Sequence, residues 1–254
     1  MSDEAKKEII ETEVKKGKLR FDPNNHIFTL IDKKGEETKL LSVTAIVGIV
    51  DKSGPLLGWA TNLARDYLLE KLNRGEQIIP VDVTEAVAQY RKEKKIAQDV
   101  GTKIHELVSK FIKKEIFNLD DVDDKVRNGF NAFLAYQDEN KINWLESEKI
   151  VYSSKYNYAG ITDAIGQVGR DRVLFEFKST RSIDYPEFFL QTAAYQLAYE
   201  EQFKKKINYR LVLGFGKDTG EFMVKKLEGY QNDKMGFLAC VALKQSLKQI
   251  QSKE

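Results

Sequence analysis

The stretch GITDAIGQVGRDRVLFEFKST, residues 160–180, predicts a β-hairpin that carries charged residues within two apolar strands. A Gly-Arg-Asp turn at residues 169–171 separates the two strands. Because side chains alternate across a strand, Glu176 and Lys178 share one face with Leu174 and lie about 7 Å apart. Such a face is either solvated or a binding site.

The charged residues of this hairpin have the composition of a cation site. Asp163 on the first strand can point to the same place as Glu176 if the register allows it. Two carboxylates and a backbone carbonyl, here that of Phe177, suit a hard cation such as Mg²⁺ or Mn²⁺. Lys178 can then orient a water for attack on phosphorus. Alternatively, Lys178 only neutralises Glu176, in an ion pair worth about 0 to 1 kcal/mol if exposed.

Composition limits the function classes further. The 254 residues are 42% hydrophobic, enough for a folded core. The single cysteine, Cys240, excludes an internal disulfide framework, a four-cysteine zinc site and a cysteine-ligated iron–sulfur cluster. A net charge of +2 argues against a histone-like binder but leaves room for local basic patches. Without a signal peptide or a long apolar run, the sequence predicts a cytoplasmic protein that does not enter a membrane.

The periodicity of apolar residues divides the chain into three stretches. Residues 18–42 predict short strands, residues 54–140 predict helices, and strands and helices alternate after Trp144. The first predicted helix begins near Gly54. Further helices are predicted at 84–97, 98–115, about 122–134 and 186–204, and the final helix has Asp233 as its N-cap. This order predicts a single α/β domain with a helical insertion.

The hairpin residues resemble those of the PD-(D/E)XK nucleases, in their RecB-like exonuclease branch. In that pattern an Asp on one strand is followed by Glu-x-Lys on the next, as in Asp163 and the triplet Glu176-Phe177-Lys178. The Pro of the family name is absent, because Thr162 precedes Asp163.

Two further motifs of this branch have counterparts here. An upstream helix carries a histidine in a GTxxH setting, which resembles Gly101-Thr102-Lys103-Ile104-His105. A downstream helix carries Gln-x-x-x-Tyr, matched by Gln191 and Tyr195, which share one helix face. The joint match covers about residues 98–227.

The resemblance implies a fold and an activity. The fold is a mixed central sheet flanked by helices: a restriction-endonuclease-like core at 98–227, N-terminal strands and helices at 18–140, and a C-terminal helix at 233–254, all within one nuclease domain, 1–254. The activity is Mg²⁺- or Mn²⁺-dependent hydrolysis of DNA phosphodiesters by an exonuclease. The implied roles are metal binding by Asp163, Glu176, His105 and Phe177, water positioning by Lys178, and contacts near the metal or phosphate by Gln191 and Tyr195.

The N-terminal part resembles phage-type members and mitochondrial genome maintenance exonucleases. Ser42 and Thr44 match their Ser-Val-Thr stretch, which implies contacts to the nucleic-acid backbone, and Lys103 is a further candidate DNA contact. The expected substrate is single-stranded or free-ended DNA in replication, recombination or repair, in the host cytoplasm if the chain is phage-encoded. Since no GxxxxGK[ST] loop is present, the nuclease is expected to act alone or with a partner supplied in trans, such as a recombination or replication protein.

Alternatives remain open at the level of function and of single residues. The same hairpin serves a restriction-type or junction-cutting endonuclease, and a catalytically silent DNA-binding module could keep the fold. Taken alone, His105 is a histidine at the edge of an apolar stripe, and Gln191 and Tyr195 are a helix face packed on a sheet. Glu148 is interpreted as a carboxylate on the solvated face of an edge strand, with a further acid that reaches the site as the alternative.

Overall fold

The computed structural model describes residues 8–120, 122–180 and 182–251. A mixed sheet of nine strands with helices packed on it confirms the predicted α/β class. The strands are β1 Ile10–Val14, β2 Gly17–Asp22, β3 Ile27–Asp32, β4 Glu37–Ser42, β5 Asn143–Ser153, β6 Tyr158–Val168, β7 Asp171–Lys178, β8 Tyr209–Phe215 and β9 Phe222–Leu227. The helices are α1 Val43–Val47, α2 Ser53–Asn73, α3 Pro80–Lys113, α4 Asp124–Asn140, α5 Pro186–Phe203 and α6 Tyr230–Gln251.

The long strand β6 organises the sheet. The strand order is β1-β2-β3-β4-β6-β7-β8-β9, and β5 lies along the other edge of β6. The β4–β6 and β7–β8 pairs are parallel, and the other pairs are antiparallel. On one edge, β6 pairs with β4 at Tyr158 and Ala159 and with β7 from Ala164 to Val168. Between these two regions, residues 160–163 pair with neither strand in the described register, and this gap contains Asp163.

Both faces of the central strands β7 and β8 are buried. Helices α3 and α4 cover one face, where Val173, Phe175 and Phe177 join a large aromatic core. Helices α1, α5 and α6 cover the other face, where Leu174 packs. The predicted alternation along β7 is therefore confirmed, and the charged end of this strand is not a solvated face.

Several sequence-based boundaries were wrong. The helices predicted at 84–97 and 98–115 form one helix of 34 residues, because Gly101 alone does not interrupt a helix that is anchored on the core. Helix α6 begins at Tyr230 instead of near Asp233, whose carboxylate accepts a hydrogen bond from Arg210 Nη2 at 2.7 Å. Asp171 belongs to β7 instead of the turn, and β1 was not predicted.

Helix α2 and residues 80–99 of α3 form a hairpin, here called the helical arm. The sequence of α2 contains an apolar stripe, which suits either packing on the core or a wall over the site, and in the structure no residue of α2 is buried. The arm is held together by contacts along its length: the rings of Trp59 and Tyr90 lie 5.2 Å apart, and Lys71 Nζ pairs with Asp82 Oδ1 at 2.5 Å. Because α2 packs mainly on α3, it forms a wall next to the sheet and not a part of the core.

Candidate active site

The hairpin of β6 and β7 brings the two predicted acids together. Its regular pairing stops at Ala164 and Phe175, one residue before Asp163 and Glu176 would pair. Beyond this point Asp163 Oδ2 accepts a hydrogen bond from the backbone N–H of Phe177 at 2.7 Å. A side chain thus takes the place of a backbone acceptor, which fixes the Asp163 carboxylate beside β7. The Phe177 side chain itself lies in the aromatic core.

A chain of polar contacts leads from Glu176 to helix α5. Lys178 Nζ donates to Glu176 Oε1 at 2.5 Å and to Gln191 Oε1 at 3.4 Å. Gln191 Nε2 in turn donates to the Tyr195 hydroxyl at 3.0 Å, as expected for residues four apart on one helix face. The structure therefore brings the Glu-x-Lys and Gln-x-x-x-Tyr motifs into one network, in which Gln191 and Tyr195 are buried.

Helix α3 adds the predicted histidine from the opposite side of the sheet. His105 Nδ1 lies 3.6 Å from Asp163 Oδ1, and its ring packs edge-on against Phe177. Gly101, one turn earlier, permits this approach, because a Cβ at this position would lie 2.7 Å from Ser179 Oγ. The glycine of the predicted GTxxH motif thus has a steric reason: it lets the helix pass close to the end of β7.

The protonation equilibria of the two acids differ. Burial, followed by the charge of Asp163, raises the pKa of Glu176 from 4.5 to about 7, although Lys178 opposes the shift. Burial also raises the pKa of Asp163, but His105, Lys178 and the Phe177 N–H outweigh it and make the net shift downward. Two neighbouring buried carboxylates thus cannot both ionise freely without more positive charge.

Glu176 also has an unsatisfied oxygen. Its side chain is 2% exposed, and Oε2 has no hydrogen-bond partner within the described residues. A buried carboxylate oxygen without a donor is costly, so this atom fits a bound cation. Across residues 8–120, 122–180 and 182–251, no group of three or more His, Cys, Asp or Glu side chains is arranged as a complete metal site. A cation would therefore need other oxygen ligands or a shift of His105.

A cleft of about 1070 Å³ opens beside this network. Its walls are the first turns of α2, the middle of α3 and the segment after β7, and they include Trp59, Lys94, His105 and Ser179. The polar network lies at the margin of the cleft, because two of its members adjoin lining residues. Asp163 contacts His105, and Lys178 directly precedes Ser179. Trp59 and Lys94 therefore line the same cleft as His105, the neighbour of Asp163.

The structure adds Glu148, which the sequence pattern assigned to a solvated face. Glu148 has a positive φ of 51° and lines the cleft together with His105. Its Oε2 accepts hydrogen bonds from Ser109 Oγ at 2.8 Å and Lys113 Nζ at 2.6 Å. Burial raises the pKa of Glu148, but Lys113 and Ser109 outweigh it and lower the pKa overall. Strand periodicity gave no sign of this position, because the left-handed backbone at Glu148 interrupts the alternation of β5.

The three predicted DNA contacts lie outside the carboxylate network. Ser42 is the N-cap of α1, where its Oγ accepts the Ala45 N–H at 3.1 Å, and Thr44 is exposed in the first turn of that helix. Lys103 is exposed on α3, next to Thr102, which lines the cleft. A structural cap thus accounts for Ser42 without a ligand.

Comparisons of the sequence with protein-family models and with curated proteins found no match. Within the described part of the chain, no helix has the length and apolar character needed to cross a membrane.

Proposed function

We propose that this protein is a divalent-cation-dependent deoxyribonuclease of the PD-(D/E)XK type, in the RecB-like exonuclease branch. The observation that carries this proposal is the unsatisfied Oε2 of Glu176, a buried carboxylate that lies near the charge of Asp163 and whose other oxygen, Oε1, pairs with Lys178. Two carboxylates that can hold a cation and a lysine beside them, at the end of a hairpin next to a cleft, suit metal-dependent phosphodiester hydrolysis.

The roles of the residues follow from their contacts. Asp163 and Glu176 would hold Mg²⁺ or Mn²⁺, with His105 and the Phe177 carbonyl as the nearest further ligands. When bound, the cation polarises a phosphoryl oxygen and lowers the pKa of a water. Lys178 places a positive charge where negative charge develops on the phosphate, and Gln191 orients the lysine. Tyr195 is buried behind Gln191 and acts through it.

We also propose an assignment of the fold. Residues 98–227 would be a restriction-endonuclease-like core, and the helical arm would be an N-terminal insertion that forms one wall of the substrate channel. Trp59 and Lys94 support this role, since they offer a stacking surface and a positive charge at the cleft. The enzyme would act in the cytoplasm on DNA, with replication or recombination proteins in trans.

A cleft with a wall on its outer side favours a substrate with a free end. We therefore expect linear single-stranded DNA to be degraded progressively in Mg²⁺ or Mn²⁺, while covalently closed single-stranded circles stay intact under the same conditions. Gel electrophoresis of both substrates, with EDTA as the control for cation dependence, measures this directly. Prompt linearisation of the circles would contradict end-dependence and favour the endonuclease alternative.

Glu148 is expected to support the cation site as a third carboxylate. Glu148→Gln should keep the fold but weaken Mn²⁺ affinity by about 10- to 100-fold, because its charge is near Asp163 and is itself fixed by Lys113 and Ser109. Isothermal titration of Mn²⁺ into the variant measures the effect. Glu146→Gln is the matched control, since Glu146 accepts hydrogen bonds from Tyr199 and Lys149 but does not line the cleft. Equal Mn²⁺ affinity in both variants would show that Glu148 does not contribute to the cation site.

A further inference from the structure

A second cavity of about 350 Å³ lies beside the cleft. It is enclosed by the segment that follows β7 and by the hairpin of β8 and β9. Four residues line both cavities: Ser179, Thr180, Lys217 and Asp218. The two spaces are therefore neighbours, and their common boundary begins one residue after Lys178.

The walls of this second cavity divide into an apolar and a polar part. Phe215, Phe222 and Met223 form the apolar part, away from the cleft. The polar part includes, on the side shared with the cleft, the hydroxyls of Ser179 and Thr180, the Lys217 side chain and the carboxylate of Asp218, whose charge Lys125 Nζ offsets at 3.6 Å. Thr219 and Glu221 line the cavity but not the cleft. An aromatic and thioether surface suits a flat π-system, and hydroxyls with a lysine suit a sugar and a phosphate.

The order of these groups matches the order of groups in a nucleotide. A phosphate beside Lys178 would have its own sugar near Ser179 and Thr180, and its base would then reach Phe222. The volume is near the lower end of the range of about 300–1,000 Å³ for small-molecule pockets, which suits one nucleoside and not a base pair.

We propose that this cavity is a nucleoside subsite that binds the base of the nucleotide next to the scissile phosphate. The subsite deepens the proposed nuclease function and rests on it. It would select an unpaired end, because a base can enter the cavity only after it has left its partner. It would also fix the distance between the chain end and the cut, since the base is anchored on one side of the catalytic residues.

The test compares two linear single-stranded oligonucleotides that differ only at the terminal nucleotide, one with a normal base and one with an abasic residue. Stacking of one base on an aromatic side chain is worth about 1–3 kcal/mol, so the protein should hydrolyse the abasic substrate with a kcat/KM at least about 5-fold lower. Phe222→Leu keeps an apolar side chain but removes the ring. In this variant the ratio of kcat/KM for the normal substrate to kcat/KM for the abasic substrate should fall toward one. Phe203→Leu is the matched control, because Phe203 is a partly buried ring that lines neither cavity.

A binding measurement separates the subsite from the chemistry. With 2-aminopurine as the terminal base and EDTA present to prevent cleavage, binding to the wild-type protein and to Phe203→Leu should quench the fluorescence, and Phe222→Leu should lose most of the quenching. Equal kcat/KM for both substrates in the wild-type protein, together with cation-dependent hydrolysis, would overturn the subsite and leave the nuclease standing. Absence of hydrolysis of every DNA substrate with Mg²⁺ or Mn²⁺ would overturn both proposals.

Discussion

Glu176→Gln is expected to lower DNA hydrolysis by about 10³-fold or more while the protein stays folded. The amide keeps the shape of the carboxylate but removes the charge that Oε2 offers to a cation. Asp163→Asn should have the same effect on activity for the same reason. Hydrolysis of a labelled oligonucleotide measures the loss, and thermal unfolding with added Mn²⁺ provides a second readout, because only a protein that binds the cation gains stability from it.

The same substitution should change the pH dependence of stability. In the cation-free protein the pKa of Glu176 is raised from 4.5 to about 7, so the folded state holds this proton over a pH range in which the unfolded chain has lost it. The free energy of unfolding therefore falls as pH rises from about 4.5 to about 7, by up to about 3 kcal/mol for this group. Glu176→Gln cannot titrate and should lack this fall. Burial lowers the pKa of His105, but the charge of Asp163 outweighs it and raises the pKa overall. His105 is present in both proteins.

Urea unfolding at pH 5 and pH 8 in EDTA tests this expectation. The free energy of unfolding of Glu176→Gln minus that of the wild-type protein should be larger at pH 8 than at pH 5. Glu146→Gln serves again as the control, because Tyr199 and Lys149 hold that carboxylate and outweigh the effect of burial, so its pKa is lowered.

Full activity of Glu176→Gln, or full activity of the wild-type protein in excess chelator, would refute the cation site.

The sequence predicted the hairpin because its signals are local. The alternation along β7 and the glycine turn before it depend only on neighbouring residues, and both are present in the structure. The helix of Gln191 and Tyr195 was predicted for the same reason, and its two polar residues do share one face. Spacing therefore accounts for the contact between Gln191 and Tyr195, whereas the contact between Lys178 and Gln191 depends on how α5 packs against β7.

The parts that the sequence did not predict depend on long-range contacts. The end of the β6–β7 pairing, which frees Asp163 to accept the Phe177 N–H, follows from how β4 and β7 share one edge of β6. The position of Glu148 depends on a left-handed residue in β5. The apolar stripe of α2 alone suits both a core helix and an exposed arm, and the length of the helical stretch from Pro55 to Asn140 favoured an arch or wall over the site.

Lys178 separates cation binding from turnover, and its replacement is the second large effect. Lys178→Met is expected to bind Mn²⁺ at least as tightly as the wild-type protein, because it leaves Asp163 and Glu176 in place and removes a competing positive charge. Turnover should nevertheless fall by about 10²- to 10³-fold, the range for loss of one preorganised group that stabilises transition-state charge. The loss should appear in kcat, because this interaction strengthens as charge develops on the phosphate.

The chain contains a closely matched control for this substitution. Lys149 Nζ pairs with Glu146 at 2.7 Å and lies 4.9 Å from the ring centre of Phe203, whereas Lys178 Nζ lies 4.6 Å from that of Phe188. Lys149→Met therefore removes the same kind of ion pair and cation–π contact without touching the cleft, and it should keep full turnover. If Lys178→Met lost Mn²⁺ binding but retained the rate at saturating Mn²⁺, the lysine would hold the carboxylates in place and would not act in the chemical step.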